Sequence, residues 1–198
     1  MTELYRQGVG IMLVNKNNQV FVGQRKDTKK YTPILKEFQE LGRKQGVSAR
    51  SVFSIHDEVR VPAVDDAQLL KGEEYEAWQM PQGGIDEGEE PITAAFRELK
   101  EEIGTNHAEL IAKASEWISY DLPPEIAESI WQGKYKGQRH MWFLFRFLGD
   151  DSEINIKTPE PEFISWKWCS HTELVANIVD FKKELYIQVL KQFESYLK

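Results

Sequence analysis

Several features that define other classes of protein are missing from this 198-residue sequence. It contains a single cysteine, Cys169, which excludes an intramolecular disulfide framework and favours a reducing compartment. Because Cys169 ends an apolar, strand-like run, we expect a buried, inert thiol. No apolar run reaches membrane-spanning length, and residues 1–8 lack the apolar core of a signal peptide. We therefore expect a cytoplasmic protein without a membrane segment.

An excess of positive charge is also missing, because 32 acidic residues outnumber 25 Lys and Arg and give a formal net charge of −7. Proteins that bind nucleic acid along a broad surface usually carry the opposite sign. We therefore expect no stable binding to DNA. A few cations or a bound metal can still hold the phosphates of a nucleotide or of a nucleic-acid end. The hydrophobic fraction of 41% is enough for a substantial core.

The apolar patterns predict strands and helices in mixed order. Residues 9–14 and 19–23 form a predicted hairpin around the polar turn 15–18. Three later segments are predicted as strands, and a final helix begins near Asp180. The architecture that accommodates these elements most simply is a mixed sheet with helices packed on it. The three later strands are residues 109–120, 140–148 and 163–168.

One stretch, residues 27–75, differs in character from the rest of the chain. It begins with lysines and then offers an amphipathic candidate helix, with Leu35, Phe38 and Leu41 at helical spacing. We predict that residues 1–198 form a single domain and that 27–75 is an insertion between early strands. Its role is left open between a subdomain, a lid and a partner-binding arm.

The segment that carries the chemistry is a predicted helix that starts at Pro91 and ends before Gly104. Proline suits the first turn, where its missing N–H costs nothing, and glycine suits the left-handed position after the last turn. An apolar stripe at the 3.6-residue period should lie against the sheet. Its members are Ile92, Ala95, Phe96, Leu99 and Ile103.

Three carboxylates, Glu98, Glu101 and Glu102, project from one face of this helix within about one turn. Like charges at this spacing destabilise an isolated helix by roughly 0.2–0.5 kcal/mol per pair, and a divalent cation would offset that repulsion. A solvated acidic helix face is the simpler interpretation of the glutamates alone. The preceding Gly83 and Gly84 favour the metal site, because a glycine pair lets the backbone approach a ligand closely.

The same segment resembles the Nudix box, G-x5-E-x7-R-E-U-x-E-E-x-G-U. Every fixed position matches, and only the last slot departs, where Thr105 replaces a bulky aliphatic residue. The resemblance implies an α/β fold of the α+β type, an α/β/α sandwich around a mixed sheet. It also implies hydrolysis of a nucleoside diphosphate linked to another group. The matching residues are Gly83, Glu89, Arg97, Glu98, Leu99, Glu101, Glu102 and Gly104.

The resemblance extends to one subfamily, the bacterial RNA 5′-pyrophosphohydrolases and the related dinucleoside polyphosphate hydrolases. It covers everything except residues 27–75, where this subfamily has a short loop. The segments that carry it are residues 5–10, 78–85, 137–138 with 142–143, 161–163 and 181–182.

Metal ligation is assigned to Glu98, Glu101 and Glu102 both by their spacing and by the resemblance, and Gly83 is placed in the same site. The resemblance adds Glu162, as a ligand or as the group that orients water. Glu102 and Glu162 are therefore the predicted catalytic residues. The expected cofactor is a divalent cation, with Mg²⁺ favoured and Mn²⁺ or Zn²⁺ as alternatives.

The resemblance also suggests contacts with the substrate, a nucleotide polyphosphate or an RNA 5′ end. Guanidinium groups suit phosphate oxygens, and Lys182 beside Phe181 would place a cation and a stacking ring at a base. Phe181 also fits the apolar stripe of the last helix. Glu89 and Arg97 are predicted to form a structural pair, with a weak surface ion pair as the alternative. The predicted substrate contacts are Arg6, Arg25, Tyr120, Gln138, Arg139, Phe181 and Lys182.

Three functions stay open at this point. An RNA 5′-pyrophosphohydrolase is favoured, and a dinucleoside polyphosphate hydrolase is the alternative. A non-catalytic nucleotide-binding module is less consistent with the intact set of glutamates. The four histidines, including His140, have no metal-binding spacing and are expected to be structural or exposed. The oligomeric state is left open.

Overall fold

A computed structural model describes residues 5–25, 78–122, 134–176 and 180–197. The chain divides into two units, and the first, Met1–Lys26 with Ala77–Lys198, contains every described residue. The second unit is Asp27–Glu76. The insertion predicted over residues 27–75 lies outside the described residues, so it stays a prediction.

Eight described strands form one mixed sheet in the first unit. The sheet has the order β3-β2-β1-β7-β5, with β4 paired to β1, β6 to β7 and β8 to β2. The central pair β1–β7 is parallel and the other pairs are antiparallel. The strands are β1 (Tyr5–Val14), β2 (Val20–Arg25), β3 (Trp78–Gln79), β4 (Gln82–Gly84), β5 (Ala108–Lys113), β6 (Ile118–Asp121), β7 (Gly137–Phe147) and β8 (Phe163–Cys169).

The predicted hairpin is confirmed as the pair β1–β2, in which Val14 lies opposite Val20. Its turn is closed by Asn15, whose side-chain oxygen accepts hydrogen bonds from the backbone N–H groups of Asn17 and Gln19. Asn18 adopts a positive φ of 57°, a conformation that asparagine tolerates better than most residues. The polar cluster in the sequence therefore predicted the turn for a sound physical reason.

Helices cover both faces of the sheet. Phe96 of α1 (Pro91–Ile103) packs against Phe145 of β7 at 4.9 Å between ring centroids. Tyr186 of α3 (Asp180–Phe193) packs against Trp142 of β7 at 5.9 Å. Side chains three apart on a strand point to opposite faces, so α1 and α3 enclose the sheet. The predicted sandwich of the α+β type is confirmed.

Shorter helical elements complete the described part of the chain. They are α2 (His171–Ala176) and two 3₁₀ turns, Asp151–Glu153 and Glu194–Tyr196. None of the helices in the described ranges is long and apolar enough to cross a membrane. Cys169 is buried as expected, and burial raises the pKa of its thiol to about 11.

One predicted element is wrong. Residues 109–120 form two strands instead of one long strand, because β5 and β6 pair with different parts of β7. Lys113 lies opposite Phe143 and Ile118 lies opposite His140, so four residues in 114–117 span the distance that two residues span on β7. The extra residues must leave the strand path. Apolar character alone could not reveal this mismatch of register.

Candidate metal and substrate site

Helix α1 presents its three glutamates in two directions. Its ends follow the sequence signals, with Pro91 in the first turn and Gly104 left-handed at φ 79°. Glu98 and Glu102 are buried, at 8% and 2% exposure, whereas the Glu101 side chain is 57% exposed. Glu98 and Glu102, which are four positions apart, therefore face the protein interior, and Glu101 faces solvent.

The carboxyl group of Glu98 lies directly on the backbone of Gly83 in β4. A Cβ atom added to Gly83 would come within 1.9 Å of the Glu98 carboxyl carbon, so a larger residue has no room there. Burial raises the pKa of Glu98, and this increase is opposed by Arg97, whose Nη1 donates to Oε1 of Glu98 at 2.8 Å. The first glycine of the sequence motif therefore makes space for a buried carboxylate.

Among the described acids around this helix, Glu102 has the fewest contacts that would stabilise its negative charge. Neither of its carboxylate oxygens has a hydrogen-bond partner among the described residues. Burial raises its pKa well above the usual value, and the nearby carboxylates of Glu162 and Glu98 raise it further. Arg25 and the backbone of Gln82 lower it by less. A negative charge at Glu102 is therefore unfavourable unless a cation accompanies it.

Glu162 reaches this region from the loop before β8. It accepts a hydrogen bond from Nη1 of Arg25, the last residue of β2, at 3.0 Å. Both side chains are partly exposed, at 28% for Arg25 and 43% for Glu162. The pairing of Arg25 with Phe163 across β2 and β8 explains how residues so distant in sequence meet.

Arg97 connects the loop after β4 to α1. It donates two hydrogen bonds to Glu89, at 2.9 and 2.8 Å, and one to the carbonyl oxygen of Gly84 at 2.9 Å. It also donates to Glu101 at 3.0 Å. The hydrogen bonds from Arg97 lower the pKa of Glu89. These contacts hold the carboxylate-bearing helix against the glycine-containing strand.

The predicted metal ligands are brought together only in part. Within the described ranges, no three His, Cys, Asp or Glu side chains converge as a metal-holding group. Glu98 and Glu101 are paired with Arg97, and Glu162 is paired with Arg25. The carboxylate of Glu162 is nevertheless near enough to raise the pKa of both Glu98 and Glu102, and Glu98 raises the pKa of Glu102 further. The uncompensated Glu102 and its acidic neighbours fit a divalent cation.

A second polar group lies on the α3 face of the sheet, around the buried side chain of Lys182. Its Nζ donates to the side-chain oxygens of Gln79 at 3.1 Å and Gln82 at 3.3 Å. The same ammonium lies 5.8 Å from the ring centroid of Tyr120, whose hydroxyl donates a short hydrogen bond to Gln138. Gln79, Gln82 and Tyr120 therefore lie around this one cation, and Gln138 adjoins the group through Tyr120.

The other predicted substrate residues are placed differently. Arg6 lies beside Gln138 in the β1–β7 register, so its side chain is on the α3 face with Lys182. Arg139 follows Gln138 and therefore points to the opposite face, where its guanidinium lies 5.2 Å from the ring of Trp117. The side chain of Phe181 lies outside the described residues, and its role stays a prediction.

Reasoning from the sequence did not identify Gln79 and Gln82 as site residues. The available signal was their position around Pro81, in the segment that resembles the subfamily. His140, which was expected to be structural or exposed, is buried near Lys182 and Arg6. Burial lowers its pKa to about 3, and the charges of Lys182 and Arg6 add to this decrease.

A cavity of ≈ 600 Å³ lies elsewhere, between α2 and the end of α3. It contains none of the residues predicted from the sequence motif. The acidic groups and the Lys182 cluster are therefore the better candidate for a functional site. The cavity is lined by His171, Thr172, Val175, Leu190, Glu194 and Leu197.

Known proteins resemble this chain in sequence and in fold. The family model described as NUDIX domain matches residues 48–189, which is more than half of the chain. The RNA pyrophosphohydrolase of Rhodospirillum rubrum is 41% identical, over 97% of this chain and 88% of that protein. The RNA pyrophosphohydrolase of Roseobacter denitrificans is 40% identical, over 98% and 94%. A solved structure of a C. elegans Ap4A hydrolase covers 97% of both chains with 16% identity and a TM-score of 0.56, which shows a shared fold.

Proposed function

Because this chain belongs to the NUDIX family, we propose that it hydrolyses a pyrophosphate bond at the 5′-triphosphate end of RNA. The family predicted from the sequence motif is confirmed. Relatives about 40% identical along nearly the whole chain carry the name RNA pyrophosphohydrolase, which supports the same activity here. NUDIX hydrolases use divalent metal cations.

The observation that carries the proposal is the state of Glu102. Its carboxylate is fully enclosed, has no hydrogen-bond partner in the described chain and lies beside two further carboxylates. A charged group in this position is costly for folding alone, because burial removes its hydration. A functional role explains the buried Glu102 carboxylate better, because acids whose pKa is shifted by neighbouring acids are typical of metal and catalytic sites.

The residues that would hold the cation are Glu98, Glu101, Glu102 and Glu162, with the backbone of Gly83. Oxygen ligands of this type suit Mg²⁺. When bound, such a cation neutralises charge on phosphate oxygens and makes water a better nucleophile. Glu101 is the exposed member of this set and is paired with Arg97.

The chemical step needs a group that accepts a proton from the attacking water. Glu102 is suited to this role, because its carboxylate is buried beside Glu98 and Glu162 and neither of its oxygens has a hydrogen-bond partner among the described residues. Glu162 is more exposed and reaches the site from a loop, which suits a residue that orients water after the substrate has entered. We assign the larger part of water activation to Glu102.

The cations on the α3 face would hold the phosphates and the first nucleotide. Arg25 ends β2 beside the acids, and Arg6 and Lys182 lie on the α3 face. Gln82 connects the two regions, since its backbone is near Glu102 and its side chain accepts from Lys182. A triphosphate could then extend from the acids towards Lys182. Arg139 and Phe181 remain predicted contacts.

The proposed function is tested with Glu102→Gln and a matched control, Glu109→Gln, on the exposed β5 strand. Turnover of 5′-triphosphorylated RNA should fall by about a hundredfold or more in the first variant and stay unchanged in the second. The metal-free fold should survive, since the substitution removes a buried charge. Wild-type turnover in Glu102→Gln would contradict the assignment.

The substrate and the metal are tested in parallel. Diadenosine tetraphosphate is the competing substrate, and a higher kcat/KM on it than on RNA would favour the alternative hydrolase. Activity should require Mg²⁺, with Mn²⁺ and Zn²⁺ as comparison ions, and should disappear with a chelator. Turnover that persists in chelator would overturn the metal assignment.

A further inference from the structure

Three cations and three aromatic rings alternate where the strands of the sheet end, beside the proposed substrate site. Nζ of Lys136 lies 4.7 Å from the ring centroid of Tyr5, and the guanidinium of Arg139 lies 5.2 Å from that of Trp117. Nζ of Lys134 lies 5.2 Å from the neighbouring Tyr135 ring. We call this surface the cation–aromatic strip, and it consists of Tyr5, Trp117, Lys134, Tyr135, Lys136 and Arg139.

The sheet register places the strip next to the substrate site, at the end of the strands. Across β1, β7 and β6, Arg6, Gln138 and Tyr120 form one row of neighbouring residues. The adjacent row contains Tyr5 and Asp121 on either side of Gly137. Side chains one residue apart point to opposite faces, so Tyr5 and Arg139 lie on the α1 face, which carries the acids, and the strip meets the Arg6 row at the end of the strands. One residue along a strand is about 3.3 Å.

Internal contacts keep this surface ordered. The Tyr5 hydroxyl donates to Asp121 at 2.6 Å across Gly137, and Lys136 forms an ion pair with the same carboxylate at 3.3 Å. A Cβ atom on Gly137 would come within 2.1 Å of the Tyr120 carbonyl oxygen, so the close approach of the strands requires glycine. The Tyr5 ring and the Lys136 ammonium are therefore held in place before any ligand binds.

The charge of the strip is opposite to that of the chain. Lys134, Lys136 and Arg139 lie in a protein of net charge −7. The acids in the adjoining described segments are Asp121, which is paired with Lys136, and Glu116, which precedes Trp117. Cations interleaved with aromatic rings suit a single-stranded nucleic acid, because cations contact phosphates and rings stack on bases.

We propose that the cation–aromatic strip binds the single-stranded segment of RNA that follows the 5′ end. The inference rests on the proposed function, because the Arg6 row is the site of the terminal nucleotide. It adds a determinant of substrate length, in that nucleotides beyond the first two contribute to binding. A dinucleotide substrate gains nothing from the strip.

The experiment compares two 5′-triphosphorylated substrates, a dinucleotide and an unstructured RNA of about twelve nucleotides, a length typical of single-strand sites. The test variant is Lys134→Gln with Lys136→Gln. The matched control is Lys16→Gln with Lys191→Gln, which removes the same charge from exposed positions outside the strip.

In the test variant, kcat/KM on the longer RNA should fall about tenfold, while hydrolysis of the dinucleotide stays unchanged. The plot of log kcat/KM against log salt should lose about 1.4 from its slope, because each single-strand phosphate contact contributes about 0.7. The control variant should behave like the wild type with both substrates.

Equal losses on the two substrates, equal losses in the control variant, or an unchanged salt slope would each overturn the inference. If the wild type hydrolyses neither RNA, the proposed function fails, and the strip is then judged by fluorescence anisotropy alone. In that assay the 3′-labelled longer RNA should bind the wild type and the control about tenfold more tightly than the test variant. Equal affinities would refute the strip.

Discussion

Gly83 and Glu98 are in direct contact, with the carboxyl group of Glu98 lying where a side chain of residue 83 would be. A Cβ atom at Gly83 would come within 1.9 Å of the carboxyl carbon, far inside van der Waals contact. The first glycine of the motif and its first helical glutamate are therefore one structural unit, although fifteen positions separate them.

Gly83→Ala should displace Glu98 and weaken metal binding by roughly tenfold or more, because ligand position controls affinity. Isothermal titration with Mn²⁺ measures this directly. The matched control is Gly84→Ala, where the new Cβ meets only the movable end of Arg6 at 3.0 Å. Equal Mn²⁺ affinities for the two variants would contradict the role of the Gly83 contact.

Arg97→Lys should lower the free energy of unfolding by about 2 kcal/mol. Lysine cannot reproduce the two-pronged contact with Glu89 together with the bonds to Gly84 and Glu101. Urea denaturation in chelator measures the effect without metal. Arg146→Lys is the comparison, since Arg146 donates to the carbonyl oxygen of Asn15 outside this cluster. A loss no greater than that of the comparison would argue against the bracing role.

Glu162→Gln should reduce kcat by about a hundredfold and change the free energy of unfolding by less than about 1 kcal/mol. The small effect on stability follows from exposure, because the ion pair with Arg25 is accessible to solvent on both sides. Arg25→Gln should instead raise KM, since its guanidinium is assigned to phosphate. Steady-state kinetics and thermal melting of both variants separate the two roles, and an unchanged kcat in Glu162→Gln would remove Glu162 from the mechanism.

His140 should make the protein sensitive to acid. Its pKa is about 3 in the folded protein, against about 6.5 in the unfolded chain. Between these two values His140 gains a proton only in the unfolded chain. The free energy of unfolding is therefore unaffected by His140 above pH 6.5 and decreases as the pH falls below it. At pH 5 the free energy of unfolding should be lower by about 2 kcal/mol.

The measurement compares wild type with His140→Gln by chemical denaturation at pH 7.5 and pH 5. Glutamine cannot take up a proton. Between pH 7.5 and pH 5 the free energy of unfolding of the wild type should therefore fall by about 2 kcal/mol more than that of His140→Gln. His107→Gln, at an exposed histidine paired with Glu153, is the control. A pH-independent difference for His140→Gln would refute the prediction.

Local signals determined much of this protein from the sequence. The polar turn predicted the hairpin because asparagine tolerates a positive φ, and Pro91 with Gly104 predicted the limits of α1. The motif identified the family, since its glycine, arginine and glutamates keep fixed spacing on one strand, turn and helix. Each of these features depends on residues close in sequence.

Features that depend on contacts between residues distant in sequence were decided only by the tertiary structure. Register on β7 divided residues 109–120 into two strands, and the pairing of β2 with β8 brought Arg25 to Glu162. The structure buries Glu98 and Glu102 and leaves Glu101 exposed, although all three lie within about one turn of the same helix. Burial, which no local pattern measures, is what separates Glu102 from an ordinary acid in a helix.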